Sequence, residues 1–269
     1  MDNKKMKKDI HETAIISESA KIADNVKIGP YAVIEGNVTI GENTVIGAHS
    51  VIKEYTNIGK NNIIHDNVVL GDLPQDIHFD RNTVTFLEIG DNNEIREFAN
   101  LHRASKENAK TIIKNNCYIM ATGHVAHDCE INDNVIICNG ALVAGHVKVG
   151  KGAFISGNCV VHQFCSIGEY AMISGMSAVG RDILPYALTA HAGEAIIYKL
   201  NLVGMRRAGF TSEQISQAEE AYDMWYNWNK TKQEFLDTYL NDNSLNDIAK
   251  KIVVFISESR RGITPRKTV

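Results

Sequence analysis

Residues 16–51 read ISESAK IADNVK IGPYAV IEGNVT IGENTV IGAHSV when they are divided into sixes. Isoleucine opens every hexad, and an aliphatic residue continues in the same phase without a slip to Leu70. An α-helix with 3.6 residues per turn cannot keep a strict period of six, whereas short strands that each turn by one third of a circle can. The stretch therefore predicts a triangular coil in which three hexads make one full turn.

The same period extends over most of the chain. From Ile113 to Val179 twelve aliphatic residues stand in phase, and a mostly small residue lies two positions before each of them. Both positions are expected to point inward, with coils stacked as parallel strands at about 4.8 Å. Glycines directly after the aliphatic residue, such as Gly41 and Gly168, are expected to ease the corners. The repeat predicts an all-β domain, a parallel β-helix.

Two segments depart from the repeat. Ile89 follows Leu70 by one residue more than a full coil, so DLPQDIHFDRNT at 72–83 is expected to form a loop outside the coil. The hexads end near residue 185 and helical patterns follow, with a capping box at Thr211 and Gln214 and an apolar face over 245–259. We expect a β-helix domain over 1–192 and a C-terminal α-helical domain over 193–269.

The composition excludes several classes of protein. The chain has 269 residues, a formal net charge of −4 and a pI near 6.2, which argues against nucleic acid as the main partner. No apolar run approaches the ~18 residues of a membrane span, and the lysine-rich residues 1–10 lack the apolar segment of a secretory signal. Five cysteines without CxxC spacing predict neither zinc nor a disulfide framework. The cytoplasm is the expected location.

The repeat frame separates packing residues from chemically active ones. Four cysteines occupy the small inward position and are expected to be packing residues: Cys117, Cys129, Cys159 and Cys165. Four histidines miss the inward positions and must lie outside or at corners: His124, His127, His146 and His162. Two of them stand in ATGHVAHDC at 121–129.

Counting three hexads forward from a position gives its neighbour on the next coil. His127 then stacks below Gly145 and Gln163, and Asp128 stacks below His146. The predicted cluster suits two reactions. Histidines on such a helix can bind zinc across a subunit boundary, as in gamma-class carbonic anhydrases, or one neutral histidine can act as a general base on a hydroxyl. A carboxylate directly after His127 favours the second, since it is better placed to orient the ring than to complete a three-histidine metal site.

The repeat resembles that of the hexapeptide-repeat acyltransferases, which form left-handed parallel β-helices. The handedness comes from the resemblance, because the general rule for parallel crossovers predicts the opposite. Within that group the chain resembles the UDP-N-acetylglucosamine O-acyltransferases of lipid A biosynthesis over its whole length. The segments that carry the resemblance are PQDIHF at 74–79, HVAHDC at 124–129, LVAGHV at 142–147, VVHQF at 160–164 and NLVGMRRAGF at 201–210.

The resemblance implies a homotrimer that moves an (R)-3-hydroxyacyl chain from acyl carrier protein to the 3-hydroxyl of UDP-N-acetylglucosamine, without metal or dissociable cofactor. His127 is expected to be the general base, Asp128 to orient it, and Gly145 to offer its N–H to an oxyanion. The residues expected to hold sugar, thioester or nucleotide are Gln75, Asp76, His124, His146, His162, Gln163, Asn201 and Arg207. Part of the basic C-terminal domain is expected to dock the acidic carrier protein.

The resemblance implies that the residue at Gly175 determines which acyl length is accepted. It is predicted to lie on the same outward side as His127, beside the groove for the acyl chain, where a small residue leaves room for long chains. Three alternatives remain open: a related N-acyltransferase, disfavoured because those enzymes carry an extra N-terminal domain while the repeats here begin near residue 10; a zinc hydratase; and a non-catalytic repeat protein.

Overall fold

The computed structural model describes residues 9–190 and 192–267. Residues 1–8, which contain most of the lysine-rich start, lie outside the described residues. The hexads wind into a parallel β-helix with three sheets, and most strands are hydrogen-bonded to strands one coil before and one coil after them. We name the sheets A, B and C in the order in which the chain meets them.

Strands are numbered along the chain. Sheet A consists of β1 (Asp9–Ile10), β4 (Lys27–Ile28), β7 (Val45–Ile46), β10 (Ile63–Ile64), β13 (Glu94–Ile95), β16 (Tyr118–Ile119), β19 (Ile136–Ile137), β22 (Phe154–Ile155), β25 (Met172–Ile173), β27 (Ala187–Thr189) and β29 (Ile197–Leu200). Sheet B consists of β2 (Ile15–Ile16), β5 (Val33–Ile34), β8 (Val51–Ile52), β11 (Val69–Asp72), β14 (Asn100–His102), β17 (His124–Val125), β20 (Leu142–Val143), β23 (Val160–Val161), β26 (Ser177–Val179) and β28 (Gly193–Glu194). Sheet C consists of β3 (Lys21–Ile22), β6 (Thr39–Ile40), β9 (Thr56–Ile58), β12 (Phe86–Ile89), β15 (Lys110–Ile113), β18 (Glu130–Ile131), β21 (Lys148–Val149) and β24 (Ser166–Ile167).

The inward aliphatic residues form the core, as the period predicts. Ile137 pairs with Ile119 on one side and Ile155 on the other, and all three are fully buried. The small position is buried too, and all five cysteines are buried and free. The packing role expected for four of them is confirmed, and burial raises the pKa of the Cys129 thiol to about 12.

The corners are turned by residues in the left-handed region rather than by the predicted glycines. Asn25 and Asn43 have φ values of 57° and 60°, and the Asn25 side-chain amide donates to the Asn43 side chain at 3.1 Å. Gly41 has no positive φ, but a β-carbon there would lie 2.5 Å from the carbonyl oxygen of Gly59 on the next coil. The glycine is needed for close approach of successive coils, so the expected reason for it was wrong.

Two insertions leave the coils at the same corner, between sheets B and C. The first, 73–85, was expected, and Ile58 pairs with Ile89 across it. The second, 103–109, was not apparent from the period; it separates β14 from β15, so that Ile89 pairs with Ile113, one hexad further along the chain than a regular coil would give. We call this edge of the triangular prism the B–C corner.

Four helices follow the β-helix: α1 (Leu202–Arg207), α2 (Ser212–Tyr226), α3 (Lys232–Tyr239) and α4 (Asp247–Glu258). The predicted capping box of Thr211 and Gln214 is present at the start of α2. The hydroxyl of Tyr222 in α2 donates to the Pro185 carbonyl at 2.7 Å, which ties the helices to the end of the β-helix. Residues 193–200 include two strands, and the boundary at 192 and 193 stays a prediction. None of the described helices is long and apolar enough to cross a membrane.

The end of the chain returns to the β-helix at a buried carboxylate, Asp182. Its backbone accepts from Thr264 at 2.9 Å and donates to Gly262 at 2.9 Å. Its side chain accepts from the Ser259 hydroxyl at 2.6 Å and from the Ser166 N–H at 2.7 Å. The segment 259–264 is therefore held beside the end of sheet C.

We expect Ile137→Asp to yield insoluble protein, because it places an unpaired charge in the fully buried column. Thr39→Asp puts the same charge on the exposed outer face of sheet C and should leave solubility and melting temperature close to those of the wild type. Solubility is measured in the cell lysate, and melting temperature by thermal unfolding of each variant that is soluble. Soluble Ile137→Asp with unchanged melting would show that the side chain is not inward.

Candidate active site

The B–C corner gathers the predicted catalytic residues on successive coils. Residues 126–129 join β17 to β18, residues 144–147 join β20 to β21, and residues 162–165 join β23 to β24. Asp128 and His146 both have positive φ, but so do the equivalent corner residues of most other coils. The backbone is therefore ordinary for this fold, and the side chains distinguish the site.

Asp128 holds His127 in one orientation. Its Oδ2 accepts a hydrogen bond from His127 Nδ1 at 2.7 Å and one from the Ser105 hydroxyl at 2.6 Å, and the Ser105 N–H lies 3.2 Å from each oxygen. Burial raises the pKa of Asp128, but the hydrogen bonds from His127 and Ser105 outweigh it and hold the pKa at about 2. The ionised carboxylate can only accept, so Nδ1 carries a proton, and in the neutral form of the ring Nε2 has the lone pair.

Gly145 lies against the His127 ring, as the coil-to-coil spacing predicts. A β-carbon at Gly145 would lie 2.6 Å from His127 Cε1, so only glycine leaves the ring in place. Within the described residues the Gly145 N–H has no acceptor. At the same hexad position, the Ala48 N–H donates outward to the Asp66 carboxylate at 2.7 Å. The Gly145 N–H therefore points to a place where an oxygen from outside the coil can lie.

His146 is held by its neighbours' rings. It stacks on Phe164 with a centroid distance of 4.5 Å and meets the His127 ring edge-on at 5.2 Å. Its Nε2 lies 3.6 Å from Asp128 Oδ2, beyond a normal hydrogen bond. Burial lowers the pKa of His146, although Asp128 acts in the opposite direction. The ring is positioned beside the carboxylate while its polar atoms remain free to meet a ligand.

A further histidine, His102, supports the cluster from within. Its Nδ1 donates to the Leu73 carbonyl at 2.6 Å, which fastens the start of the first insertion. Its ring meets His124 edge-on at 5.1 Å, and its buried Nε2 has no partner among the described residues. Burial lowers the pKa of His102, and burial together with the neighbouring histidines lowers the pKa of His124 to about 4. Both rings are neutral near pH 7.

A cavity of about 520 Å³ opens beside Asp128 and His146. Asp76, from the first insertion, lines it and accepts the His78 N–H at 2.9 Å. Gln75 next to it is exposed and does not contact the histidines within the described part of the chain. The first insertion therefore brings one of its two predicted residues to the site.

The remaining predicted residues divide between the three corners of the prism. His162 and Gln163 lie on the B–C corner, exposed, with His162 Nδ1 donating to the Gln163 carbonyl at 3.0 Å. Gly175 lies between β25 and β26, at the corner of sheets A and B. The expectation that it shares a side with His127 was wrong, because Gly175 follows His127 by two coils plus two hexads, which ends at a different corner.

Asn201 and Arg207 lie at the third corner, away from the histidines. The Asn201 side chain caps α1 by accepting the Gly204 N–H at 3.0 Å, and it donates to the Tyr170 carbonyl at 2.9 Å, between sheets C and A. Arg207 is exposed at the end of α1. Within the described part of one chain, neither contacts the B–C corner. The capping role of Asn201 was not anticipated.

Ser105 and Thr111 were missed by the sequence analysis although both bind Asp128. The Asp128 N–H donates to the Thr111 hydroxyl at 2.8 Å. Ser105 belongs to the second insertion, which shifts the coil count, and Thr111 occupies a small inward position that suggests packing alone. A polar residue in the small position before Ile113, whose hexad lies two hexads before the one that contains His127, was the one available signal.

His127, Asp128 and His146 also offer three ligand atoms within 4.8 Å of one another, enough to suggest a metal site. The 2.7 Å separation of His127 Nδ1 and Asp128 Oδ2 is that of a hydrogen bond, and Ser105 already occupies the same oxygen. Zinc at its usual ~2.0–2.2 Å from each ligand would require these hydrogen bonds to break. The arrangement favours an imidazole base over a metal centre.

Comparisons with known proteins agree with this geometry. The profile described as UDP N-acetylglucosamine O-acyltransferase, domain 2, matches residues 182–264, and a bacterial transferase hexapeptide profile matches 19–54. The acyl-[acyl-carrier-protein]–UDP-N-acetylglucosamine O-acyltransferase of Aliarcobacter butzleri is 43% identical over 255 residues, 94% of this chain and 97% of the relative. The enzyme of that name from Campylobacter concisus is 37% identical over 257 residues, 95% of this chain and 97% of the relative. The chain belongs to the UDP-N-acetylglucosamine O-acyltransferase family.

Solved structures of the family share the fold. The UDP-N-acetylglucosamine acyltransferase of Francisella novicida matches with a TM-score of 0.91 at 36% identity, covering 96% of this chain and 95% of that one. The enzyme from Campylobacter jejuni matches with a TM-score of 0.88 at 35% identity, covering 96% and 100%. The expectations of an acyltransferase and of a left-handed parallel β-helix with C-terminal helices are confirmed.

We expect the His124 ring to show no protonation between pH 8 and about pH 5.5, because burial holds its pKa near 4. Histidine NMR titration, with His124→Asn to identify the resonance, measures this. The folded pKa lies below the ordinary value near 6.5, so the unfolded chain binds the proton first and the free energy of unfolding should fall as pH drops from 6.5 towards 4. Titration of His124 near pH 6.5 would contradict the buried placement.

Proposed function

We propose that the chain transfers an (R)-3-hydroxyacyl group from acyl carrier protein to the 3-hydroxyl of UDP-N-acetylglucosamine, the first step of lipid A biosynthesis. The observation that carries this proposal is the Asp128–His127 pair lying over Gly145 in a chain that matches enzymes of that name over almost its whole length. We further infer that the reaction takes place in the cytoplasm, where both substrates are expected.

His127 acts as the general base in this proposal. Its Nε2 takes the proton of the 3-hydroxyl as the oxygen attacks the thioester carbonyl, and Asp128 stabilises the imidazolium that forms through the Nδ1 hydrogen bond. The C–S bond then breaks, and the proton passes from His127 to the departing thiolate of the carrier. Atoms and charge balance without metal or dissociable cofactor.

Gly145 supplies the electrophilic half of the reaction. The carbonyl oxygen of the thioester gains negative charge when the hydroxyl attacks, and a preorganised N–H stabilises it. The free N–H of Gly145 supports this role, as does the outward donation seen at the equivalent Ala48. His124 and His146, both of lowered pKa, act as neutral hydrogen-bonding groups that position the sugar.

We propose a homotrimer in which a neighbouring copy completes the site. Leu142 and Val160, on the outer face of sheet B next to His124, are 47% and 45% exposed in one chain. Such side chains suit an interface between prisms. Asn201 and Arg207, proposed to contact the nucleotide, lie at a different corner of their own chain, so only another copy can bring them to the histidines.

We expect His127→Ala to lower turnover by about 10²–10⁴-fold, because the proposed general base is lost. Folding and assembly should be unchanged, because the side chain lies at a corner outside the core. Acyl transfer from a carrier-bound hydroxyacyl chain is measured, with oligomeric state followed by sedimentation. His49→Ala is the control, since His49 is an exposed corner histidine several coils away from the site. Near-normal turnover by folded His127→Ala would refute the general base.

The residue Gly175 is proposed to set acyl length. Its φ is not in the left-handed region, and a β-carbon there would meet only ordinary contacts, 3.6 Å from the Gly157 carbonyl oxygen and 3.9 Å from Ser156 Cβ. The backbone therefore does not require glycine. Because Gly175 lies at the corner of sheets A and B, it would meet an acyl chain bound at His127 only in a groove between two copies of the proposed homotrimer. Small size in that groove favours long chains, of about fourteen carbons or more, because each buried methylene contributes roughly 0.8 kcal/mol.

We expect Gly175→Met to shift selectivity towards short donors by filling the groove, while melting temperature and His127 chemistry are retained. Turnover of donors of about ten and sixteen carbons by wild type and variant measures the ratio. A fall in activity that is equal for both donors, or an unchanged ratio, would remove Gly175 as the length determinant.

A further inference from the structure

The cavity beside Asp128 and His146 has cations from three separate segments on its walls. Lys106 comes from the second insertion, Lys148 from β21, and Arg260 from the segment after α4. None of the three takes part in the proton transfers of the proposed reaction. Three cations therefore lie together beside His127 and Asp128, which is an arrangement that can bind an anion.

Arg260 is placed by a buried carboxylate. Both of its neighbours bind Asp182, the Ser259 hydroxyl at 2.6 Å and the Arg261 N–H at 3.3 Å. Asp182 also accepts the N–H of Ser166, another residue of the cavity wall. The C-terminal segment is therefore fixed on both sides of Arg260, and the guanidinium is delivered to the cavity by a fully buried anchor.

The three cations lack carboxylate partners. Asp76 and Glu258 also line the cavity, but among the described residues no acidic oxygen lies within ion-pair distance of Lys106, Lys148 or Arg260. Other lysines nearby on sheet C are paired, Lys110 with Glu88 and Lys114 with Glu130. The carboxylate of Asp128 is already used by His127 and Ser105. Like charges without a counter-charge at ion-pair distance repel each other, so a bound phosphate group would stabilise the three cations.

We propose that Lys106, Lys148 and Arg260 form a subsite for a phosphate group of a substrate lying against His146. The inference rests on the proposed function, because both of its substrates carry phosphate: the nucleotide sugar as a diphosphate and the carrier as the phosphodiester of its pantetheine arm. A guanidinium offers paired N–H donors to phosphate oxygens, and the two lysines add point charges. The Ser166 hydroxyl, which has no partner among the described residues, is a further donor in the same wall.

The test replaces each cation by a neutral residue of similar length, as Lys148→Gln, Arg260→Gln and Lys106→Gln, in the full-length protein. We expect the KM of one substrate to rise about tenfold for each change, with kcat little altered, since the group binds but does not react. Rising salt concentration should weaken substrate binding by the wild type more than binding by the triple variant. Lys21→Gln is the matched control, because Lys21 occupies the same outward position of sheet C six strands away.

Binding measured without turnover separates this subsite from the reaction itself. Calorimetry with UDP-N-acetylglucosamine, with 4′-phosphopantetheine and with unphosphorylated pantetheine reports which phosphate is bound. If the Gln variants lose affinity for the nucleotide sugar, the subsite binds its diphosphate. If they lose affinity for 4′-phosphopantetheine but not for pantetheine, the subsite binds the phosphate of the carrier arm. Variants with unchanged affinity and unchanged KM for both substrates would overturn the subsite, whatever their turnover. Wild type that binds through these cations but transfers no acyl group would instead refute the proposed function.

Discussion

The coil-to-coil register, enforced by the buried aliphatic columns, is the constraint on which the rest of the molecule depends. Ile119, Ile137 and Ile155 pair directly because each fills the same inward position of its coil. A slip by one residue would turn these side chains outward, so the core fixes the rotation of every coil. His127 lies against Gly145 for this reason, and the geometry of the candidate site at the surface is a consequence of packing inside.

The site combines one fixed negative charge with neutral rings. Hydrogen bonds from His127 and Ser105 hold the pKa of Asp128 low despite burial, while burial lowers the pKa values of His102, His124 and His146. A general base, the role proposed for His127, must be neutral before it accepts a proton. Neutral neighbours add no competing positive charge, so the field of Asp128 is directed at His127. The same burial makes the histidine cluster sensitive to acid, because the unfolded chain binds protons that these rings reject.

The sequence was sufficient for the parts of the fold that repeat. The period identified the inward columns, and spacing alone put His127 over Gly145 and Asp128 beside His146, because both pairs lie within uninterrupted coils. It failed where an insertion interrupted the six-residue period, and at Asn201, whose side chain caps its own helix. Ser105 reaches Asp128 from an insertion that no period describes. Gly175 was placed on the wrong corner because whole coils were counted without the remaining hexads. The handedness required the family resemblance, because hexads of either hand have the same pattern.

The division of predicted residues among three corners bears on assembly. The histidines occupy the B–C corner, Gly175 the corner of sheets A and B, and Asn201 the corner of sheets C and A. A rigid prism cannot bring its own three edges together, since the buried columns hold them apart. Prisms packed around a common axis can juxtapose different edges of neighbouring copies, and the exposed apolar face of sheet B gives them a surface on which to pack. In the proposed trimer the stiffness of the β-helix is therefore an advantage, because a site shared between rigid bodies is fixed once their contact is fixed.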